Sequence, residues 1–208
     1  MLKNLIIFLF TAYYITGFSQ TGQKYLIGED KEIEWSVFIA PEAKYSWLFD
    51  VGTVYGGLKG GILYDHRFTL GLSAGAFLTE ALAEAPGSEG YMTWLNQVMG
   101  YGGLYFDYNT SFNSPIQLSF PTVVGGGGIL LLEKKEPNAA GITDERLVEG
   151  GVFFVLEPAI NLELNVTKTI KIGMGAGYRF IFKSELERFS DKDLSAPSFN
   201  LTFKFGIF

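Results

Sequence analysis

The chain has no cysteine and a single histidine, His66, in 208 residues. Disulfides are therefore excluded as a source of stability, and so is lipid attachment to an N-terminal cysteine. A metal centre of Cys/His type is excluded with them, since such sites need several of these ligands together. Charge is scarce as well: Asp, Glu, Lys and Arg make up 18% of residues, against about 25% in ordinary globular chains. The net charge is −6, and no basic stripe runs through the sequence, which makes nucleic acid a poor partner. Long apolar runs are missing too. After the first residues, no stretch approaches the roughly 18 needed for a membrane-spanning helix.

What is present is a chain that is apolar without being helical-membrane in type. Apolar residues reach 48%, aromatics 16%, and there are 26 glycines. The opening "MLKNLIIFLFTAYYITGFSQ" places Lys3 before the apolar run Leu5 to Phe10 and ends in Gly17-Phe18-Ser19. That is the pattern of a cleaved secretory signal peptide, expected over residues 1–19, with 20–208 as one domain. An apolar composition without long apolar runs fits strands that turn one apolar face toward lipid.

Period-two alternation supports this directly. In "RFTLGLSAGAFLTE", Phe68, Leu70, Leu72, Ala74, Ala76 and Leu78 oppose Thr69, Gly71, Ser73, Gly75 and Thr79. The segments "VFFVLEPAINLELNV", "TIKIGMGAGYRFIF" and "FNLTFKFGIF" alternate in the same way. Weaker patterns cover 32–40, 51–64, 96–108 and 116–132, which brings the expected strands to eight. The connections alternate in length. "DHR", "NTSFNSP" and "VTK" are short, whereas "PEAKYSWLFD", "EALAEAPGSEGYMTWL", "EKKEPNAAGITDERLVEG" and "KSELERFSDKDLSAPS" are long and more charged. Short turns on one side and long loops on the other predict an all-β fold, a closed eight-stranded antiparallel up-and-down transmembrane β-barrel. Both termini would lie on the periplasmic side. The loop "EALAEAP" has room for a helical turn.

The less apolar strand faces would line the lumen. They carry Glu34, Lys59, Asp107, Glu157, Glu163, Lys171, Arg179 and Lys204. Four acids balance four bases, so an internal ion-pair network is expected, with a plugged lumen in place of a pore. Trp35, Tyr45, Trp47, Tyr64, Tyr91, Trp94, Tyr108 and Phe182 fall near strand ends and are read as interfacial girdles. Tyr45, Trp47, Tyr91 and Trp94 could alternatively form a ligand-binding cluster in the first two loops. The glycines of "PTVVGGGGILLL" are expected in mid-strand, with Gly126 and Gly128 outward. Gly125 and Gly127 would face the lumen and make room for Tyr101, Tyr105 or Phe153.

Catalysis finds little support. His66 sits in the shortest turn, with no serine beside it, and Glu157 and Glu163 lie roughly 20 Å apart along one strand face, too far for paired acid–base work. No enzyme activity, cofactor or metal is expected.

The stretches "GYGGLYFDY", "PIQLSFPTVVGGGG" and "LEPAINLELNVTKTIKIGMGAGYRF" resemble the small, mostly uncharacterised outer-membrane β-barrel proteins of Bacteroidota, relatives in architecture of OmpA/OmpX-type barrels. The resemblance covers about residues 50–208. It implies residence in a Gram-negative outer membrane, with the bilayer and lipopolysaccharide as surroundings and the barrel-assembly machinery as partner. It implies no settled activity. It also implies that the terminal Phe208 serves as an assembly signal, although Phe203, Phe205 and Ile207 set the opposite parity. Either a bulge near Gly206 shifts the register, or Phe208 points inward. The expected role is structural, or surface interaction through the long loops with a partner left open. The alternatives are a secreted lipocalin-like ligand-binding barrel with polar exterior, an accessory subunit of a larger outer-membrane complex, and an enzyme acting on lipid A.

Overall fold

The computed structural model describes residues 35–65, 67–78, 81–86, 92–110, 114–134, 145–187 and 189–208. The expected signal peptide, Glu34, His66 and Tyr91 lie outside the described residues. Among the described residues ten strands form: β1 (Trp35–Leu48), β2 (Val51–Tyr64), β3 (Phe68–Phe77), β4 (Ala81–Pro86), β5 (Met92–Tyr108), β6 (Ile116–Ser119), β7 (Thr122–Lys134), β8 (Glu145–Asn165), β9 (Ile170–Phe182) and β10 (Ala196–Gly206). All pairings are antiparallel. The ring closes as β1-β2-β3-β5-β7-β8-β9-β10, with β10 back on β1 and β3 paired to β5. Eight strands make the wall. β4 extends the β3 side of the ring by pairing with the first residues of β5, and β6 extends the β7 side by pairing with β8.

The interruption between β6 and β7 has a local cause. Between β6 and β7 stand Phe120 and Pro121, and Pro121 has no N–H to give the ladder. Its carbonyl still accepts from the Ala159 amide at 2.8 Å. The register of β6 on β8 continues into that of β7 on β8, so the wall is broken without being shifted.

Three sequence expectations need correction. "PEAKYSWL" is strand, not loop: β1 runs on to Leu48, and the connection is the tight turn Phe49-Asp50, both at positive φ (51° and 63°). The expected strand over 32–40 stops just before Pro41, and proline is rare in central strands. Its cost is confined to one ladder, where the β1–β10 pairing skips from Ile39↔Phe205 to Glu42↔Thr202. "EALAEAP" carries β4 where a helical turn had room. The third concerns the last long connection, which contains a four-residue helix, α1 (Asp191–Leu194), and β10 begins at Ala196.

Burial alternates residue by residue around the wall. On β1, Ser36, Phe38, Ala40, Glu42, Lys44, Ser46 and Leu48 are buried, while Trp35, Val37, Ile39, Ala43 and Tyr45 are exposed. The exposed face is apolar on every wall strand: Leu58 and Ile62, Leu70 and Leu72, Leu104 and Phe106, Val124 and Leu130, Ile160 and Leu162, Met174 and Phe180, Phe203 and Phe205. The polar face is inside. This inverts a soluble ligand-binding barrel, in which charge would face solvent.

The glycine quartet sits in β7 with the predicted parity. A Cβ on Gly127 would meet Phe153 Cζ and Tyr101 Cβ, each at 2.6 Å, as well as the Gly100 carbonyl. The nearest atoms to a Cβ on Gly125 would be backbone of β5, at Gly102 and Gly103, and not a lumen ring. The quartet thus lets β5 and β7 approach closely while two lumen rings lie across the gap.

Candidate functional site

The interior of an eight-stranded barrel is only wide enough to be filled by side chains, and here it is filled in layers. At the end with the long connections is an apolar layer of Leu48, Tyr55, Phe77, Met99, Tyr101, Ile129, Leu131, Phe153, Val155 and Ile181. Leu186 and Leu194 enter the same layer from the 183–195 connection, and Phe49 and Phe189 pack against it with ring centroids 4.3 Å apart. That connection therefore folds in as a lid.

Local chemistry explains why the lid holds its shape. The Asp191 carboxylate accepts the Lys183 amide (3.0 Å), the Ser184 amide (2.8 Å) and the Ser184 hydroxyl (2.6 Å). These bonds, the Ser184 hydroxyl foremost, hold its carboxyl below the usual carboxylate range. Ser190 donates its amide and hydroxyl to the Asp193 carboxylate at 2.7 and 2.9 Å, which fixes the start of α1.

Arg179, on β9, ties lid to wall. Its guanidinium donates to the Leu194 carbonyl (2.9 Å), the Trp47 carbonyl (2.8 Å) and the Ser46 hydroxyl (3.3 Å), and lies 4.9 Å from the Phe77 ring centroid. Replacing Arg179 with Met removes all three donors while keeping an apolar stem. We expect a loss of about 3 kcal/mol, the scale of breaking a buried charged hydrogen-bond set. Hydrogen exchange should quicken first at the Phe49 and Ser195 amides, which bond to α1 carbonyls. Unchanged exchange there would show that the apolar contacts alone hold the lid.

Below the lid lies the first ion cluster. Glu42 bonds to Lys59 and pairs with Lys44 at 3.3 Å, while Lys44 bonds to Glu157 at 2.6 Å. The Tyr101 hydroxyl donates to Glu157 at 2.9 Å, and Ser198 donates to its other oxygen at 3.3 Å. The Lys44 ammonium also sits 4.8 Å from the ring centroid of Tyr55, which stacks on Tyr101 at 4.9 Å. Nearer the short-turn end is a second cluster. Lys204 bonds to Asp107 at 2.9 Å and to Glu163. Tyr105 donates to Asp107 at 2.8 Å and Ser119 to Glu163 at 3.1 Å. Lys171 lies with its ammonium 4.4 Å over the Phe208 ring. A small apolar group, Phe38, Ala40, Leu63, Tyr105, Val123 and Phe208, packs among these charges.

Of the eight charged residues taken from the sequence, seven are described, and all seven face the lumen and are buried: Lys59, Asp107, Glu157, Glu163, Lys171, Arg179 and Lys204. They do not form one network. Lys59 and Glu157 belong to the upper cluster; Asp107, Glu163, Lys171 and Lys204 belong to the lower; Arg179 serves the lid. The sequence reading missed Glu42 and Lys44, the centre of the upper cluster, because the expected strand stops at residue 40. A signal was there: Ala43, Tyr45 and Trp47 alternate against Glu42, Lys44 and Ser46.

Phe208 points inward and is 1% exposed. No bulge occurs at Gly206, which pairs with Phe38 in the register of the rest of β10. The aromatic residues form two rows on the outer face. Trp35, Tyr64, Phe68 and Tyr108 are directly paired across four adjoining strands at the short-turn end. At the lid end, Tyr45 and Trp47 contact each other and Trp47 meets Phe199, while Tyr178, Phe180 and Phe182 stack along β9. Among the described residues, no His, Asp or Glu group has the geometry to hold a metal ion.

Chemically, then, the interior is packed, and its described carboxylates are bonded to ammonium and hydroxyl groups. No family model matches the chain, and no curated protein matches it in sequence. Solved structures do. Ail, the attachment invasion locus protein of Yersinia pestis, aligns at TM-score 0.45 and 12% identity over 83% of this chain and 97% of its own. The N-terminal β-barrel domain of Pseudomonas aeruginosa OprF aligns at 0.38 and 13% over the same shares. Neisserial surface protein A aligns at TM-score 0.52 and 10% identity, over 84% of this chain and 97% of that one. At such identity the likeness is one of fold, and the closed eight-stranded antiparallel barrel is the fold this chain shares with Neisserial surface protein A.

Proposed function

We propose that the chain is an integral protein of a Gram-negative outer membrane, exported through a cleaved signal peptide, with a plugged lumen and no enzymatic activity. Its role is structural in the envelope, or surface interaction through the long connections. The observation that carries this reading is the apolar outer band between two aromatic rows, wrapped around a charged interior. Along β1, Trp35 to Tyr45 rises roughly 33 Å at about 3.3 Å per residue, and a strand tilt near 40° reduces this to about 25 Å, the height of the apolar band in outer-membrane barrels. The apolar lid layer and the paired lumen charges support the plug.

The bilayer and lipopolysaccharide would be its immediate surroundings, and the barrel-assembly machinery its route in. If Phe208 is read as an assembly signal, that reading must precede closure, because the finished barrel buries its ring. The test is expression with the native leader in a Gram-negative host, followed by membrane fractionation and electrophoresis with and without boiling. Outer-membrane recovery with heat-modifiable migration is expected, together with conductance no higher than bare planar bilayers. A soluble periplasmic monomer would overturn the membrane assignment; steady single-channel conductance would overturn the plug.

A further inference from the structure

Beside the upper ion cluster the lumen holds a cavity with about 10 Å³ of space for a water-sized sphere, lined by Glu42, Lys44, Lys59, Glu157 and Asn200 together with Val123. Two of these residues carry a buried oxygen without a hydrogen-bond donor: Glu42 Oε2 and Asn200 Oδ1. Glu42 Oε2 keeps its ionic contact with Lys44 at 3.3 Å. In this orientation the Asn200 amide uses its Nδ2 on Asn161 Oδ1 at 3.0 Å, which leaves Oδ1 directed at the cavity as an acceptor.

The lining decides what fits. A cation would meet two ammonium groups, and an anion two carboxylates. An apolar molecule would leave both oxygens unpaired, and the space is too small for anything larger than water. A buried water needs about one probe sphere of room and at least two polar partners, and both conditions are met. We propose that one water molecule is bound here as a fixed part of the protein, donating one hydrogen to Glu42 Oε2 and the other to Asn200 Oδ1. Its own oxygen then faces the neighbouring ammonium groups.

The consequence is a further tie between β10 and the ion cluster, beside the hydroxyl bonds from Ser198 to Glu157 at 3.3 Å and from Thr202 to Glu42 Oε1 at 3.5 Å. The ion cluster joins β1, β2 and β8 through Glu42, Lys59, Lys44 and Glu157, and the amide pair Asn200–Asn161 joins β10 to β8. Water between Glu42 and Asn200 links the two sets across β1 and β10, next to the gap that the ladder leaves at residues 40 and 41. The site goes beyond the plugged lumen proposed above and can fail independently of it.

A high-resolution crystal structure of the full chain in detergent tests this, with parallel crystals soaked in rubidium bromide. The expected result is one peak within about 2.6–3.2 Å of both oxygens, with no anomalous signal. The same peak should be missing from Asn200→Leu, in which the Lys44–Glu157 and Lys59–Glu42 pairs persist. An empty cavity, an anomalous peak at this position, or an Asn200 amide rotated to bond Glu42 directly would overturn the proposal. Should the variant fail to fold, the wild-type density decides by itself. A conducting wild-type barrel would count against the plug and leave the water site standing; a missing peak in a non-conducting barrel would count against the water alone.

Discussion

Gly127→Leu should abolish barrel formation, leaving a chain whose migration no longer changes on boiling. A single Cβ at this position already falls 2.6 Å from Phe153 Cζ and from Tyr101 Cβ, with the Gly100 carbonyl nearer still. Side chains could swing away from one such contact, but the carbonyl belongs to the adjoining strand β5 and can move only if the wall opens. Overpacking a filled core costs about 1–3 kcal/mol when side chains can adapt; here the clash includes backbone and Leu adds three more carbons, so the cost should exceed that range. Neighbouring glycines provide the control. A Cβ on Gly128 meets nothing closer than the Gly151 carbonyl at 3.6 Å, an ordinary contact, and the position faces outward. Gly128→Ala should therefore fold and remain heat-modifiable, while Gly127→Ala should be measurably weakened. Equal behaviour of the two alanine variants would show that the quartet serves chain flexibility and not close approach.

This contrast also shows what the sequence makes legible. Parity is a local property: in an alternating strand each residue takes its side from its neighbour, so Gly127 inward and Gly128 outward follow from Val123 and Leu130. For the same reason Lys59, Glu157, Lys171, Arg179 and Lys204 could be placed inside without any coordinates. What parity does not reveal is height and partner. Arg179 carries the same alternation signal as Lys171, yet one binds lid carbonyls and the other lies over Phe208, because each depends on the stagger between strands distant in sequence. Strand ends were legible only where the chemistry of interruption was decisive. Pro41 is not such a place, since β1 keeps its pairing with β2 through it, Pro41↔Leu58 included. Misplacing that end hid Glu42 and Lys44 in a supposed loop. Phe208 was undecidable from parity alone, because a bulge and an inward turn leave the same sequence trace; its contact with Phe38, at 6.2 Å between ring centroids, is tertiary.

Lys204→Met should destabilise the barrel by about 3–5 kcal/mol, the range for removing one partner of a buried ion pair. Lys204 is the ammonium bonded to both Asp107 and Glu163. Without it two buried carboxylates face each other's field, and Lys171, the other ammonium of the lower cluster, lies against the Phe208 ring at 4.4 Å. The upper cluster predicts a milder outcome for the matching change. Lys59→Met leaves Glu42 still paired to Lys44 at 3.3 Å, so its loss should be the smaller by at least about 1 kcal/mol. Urea unfolding in detergent, followed by tryptophan emission and by the folded band on unboiled gels, would rank the two. The decisive comparison is the triple variant Lys204→Met, Asp107→Leu, Glu163→Leu. It removes charge and counter-charge together, and exchanging a buried ion set for apolar groups of similar size is often neutral or stabilising. Recovery of most of the lost stability would identify the single variant's defect as unpaired charge. If the triple variant is no better than Lys204→Met, the lower cluster is held by the shape of Lys204 against Phe38, 5.4 Å from its ammonium, and by the hydroxyl bonds from Tyr105 and Ser119, more than by ion pairing.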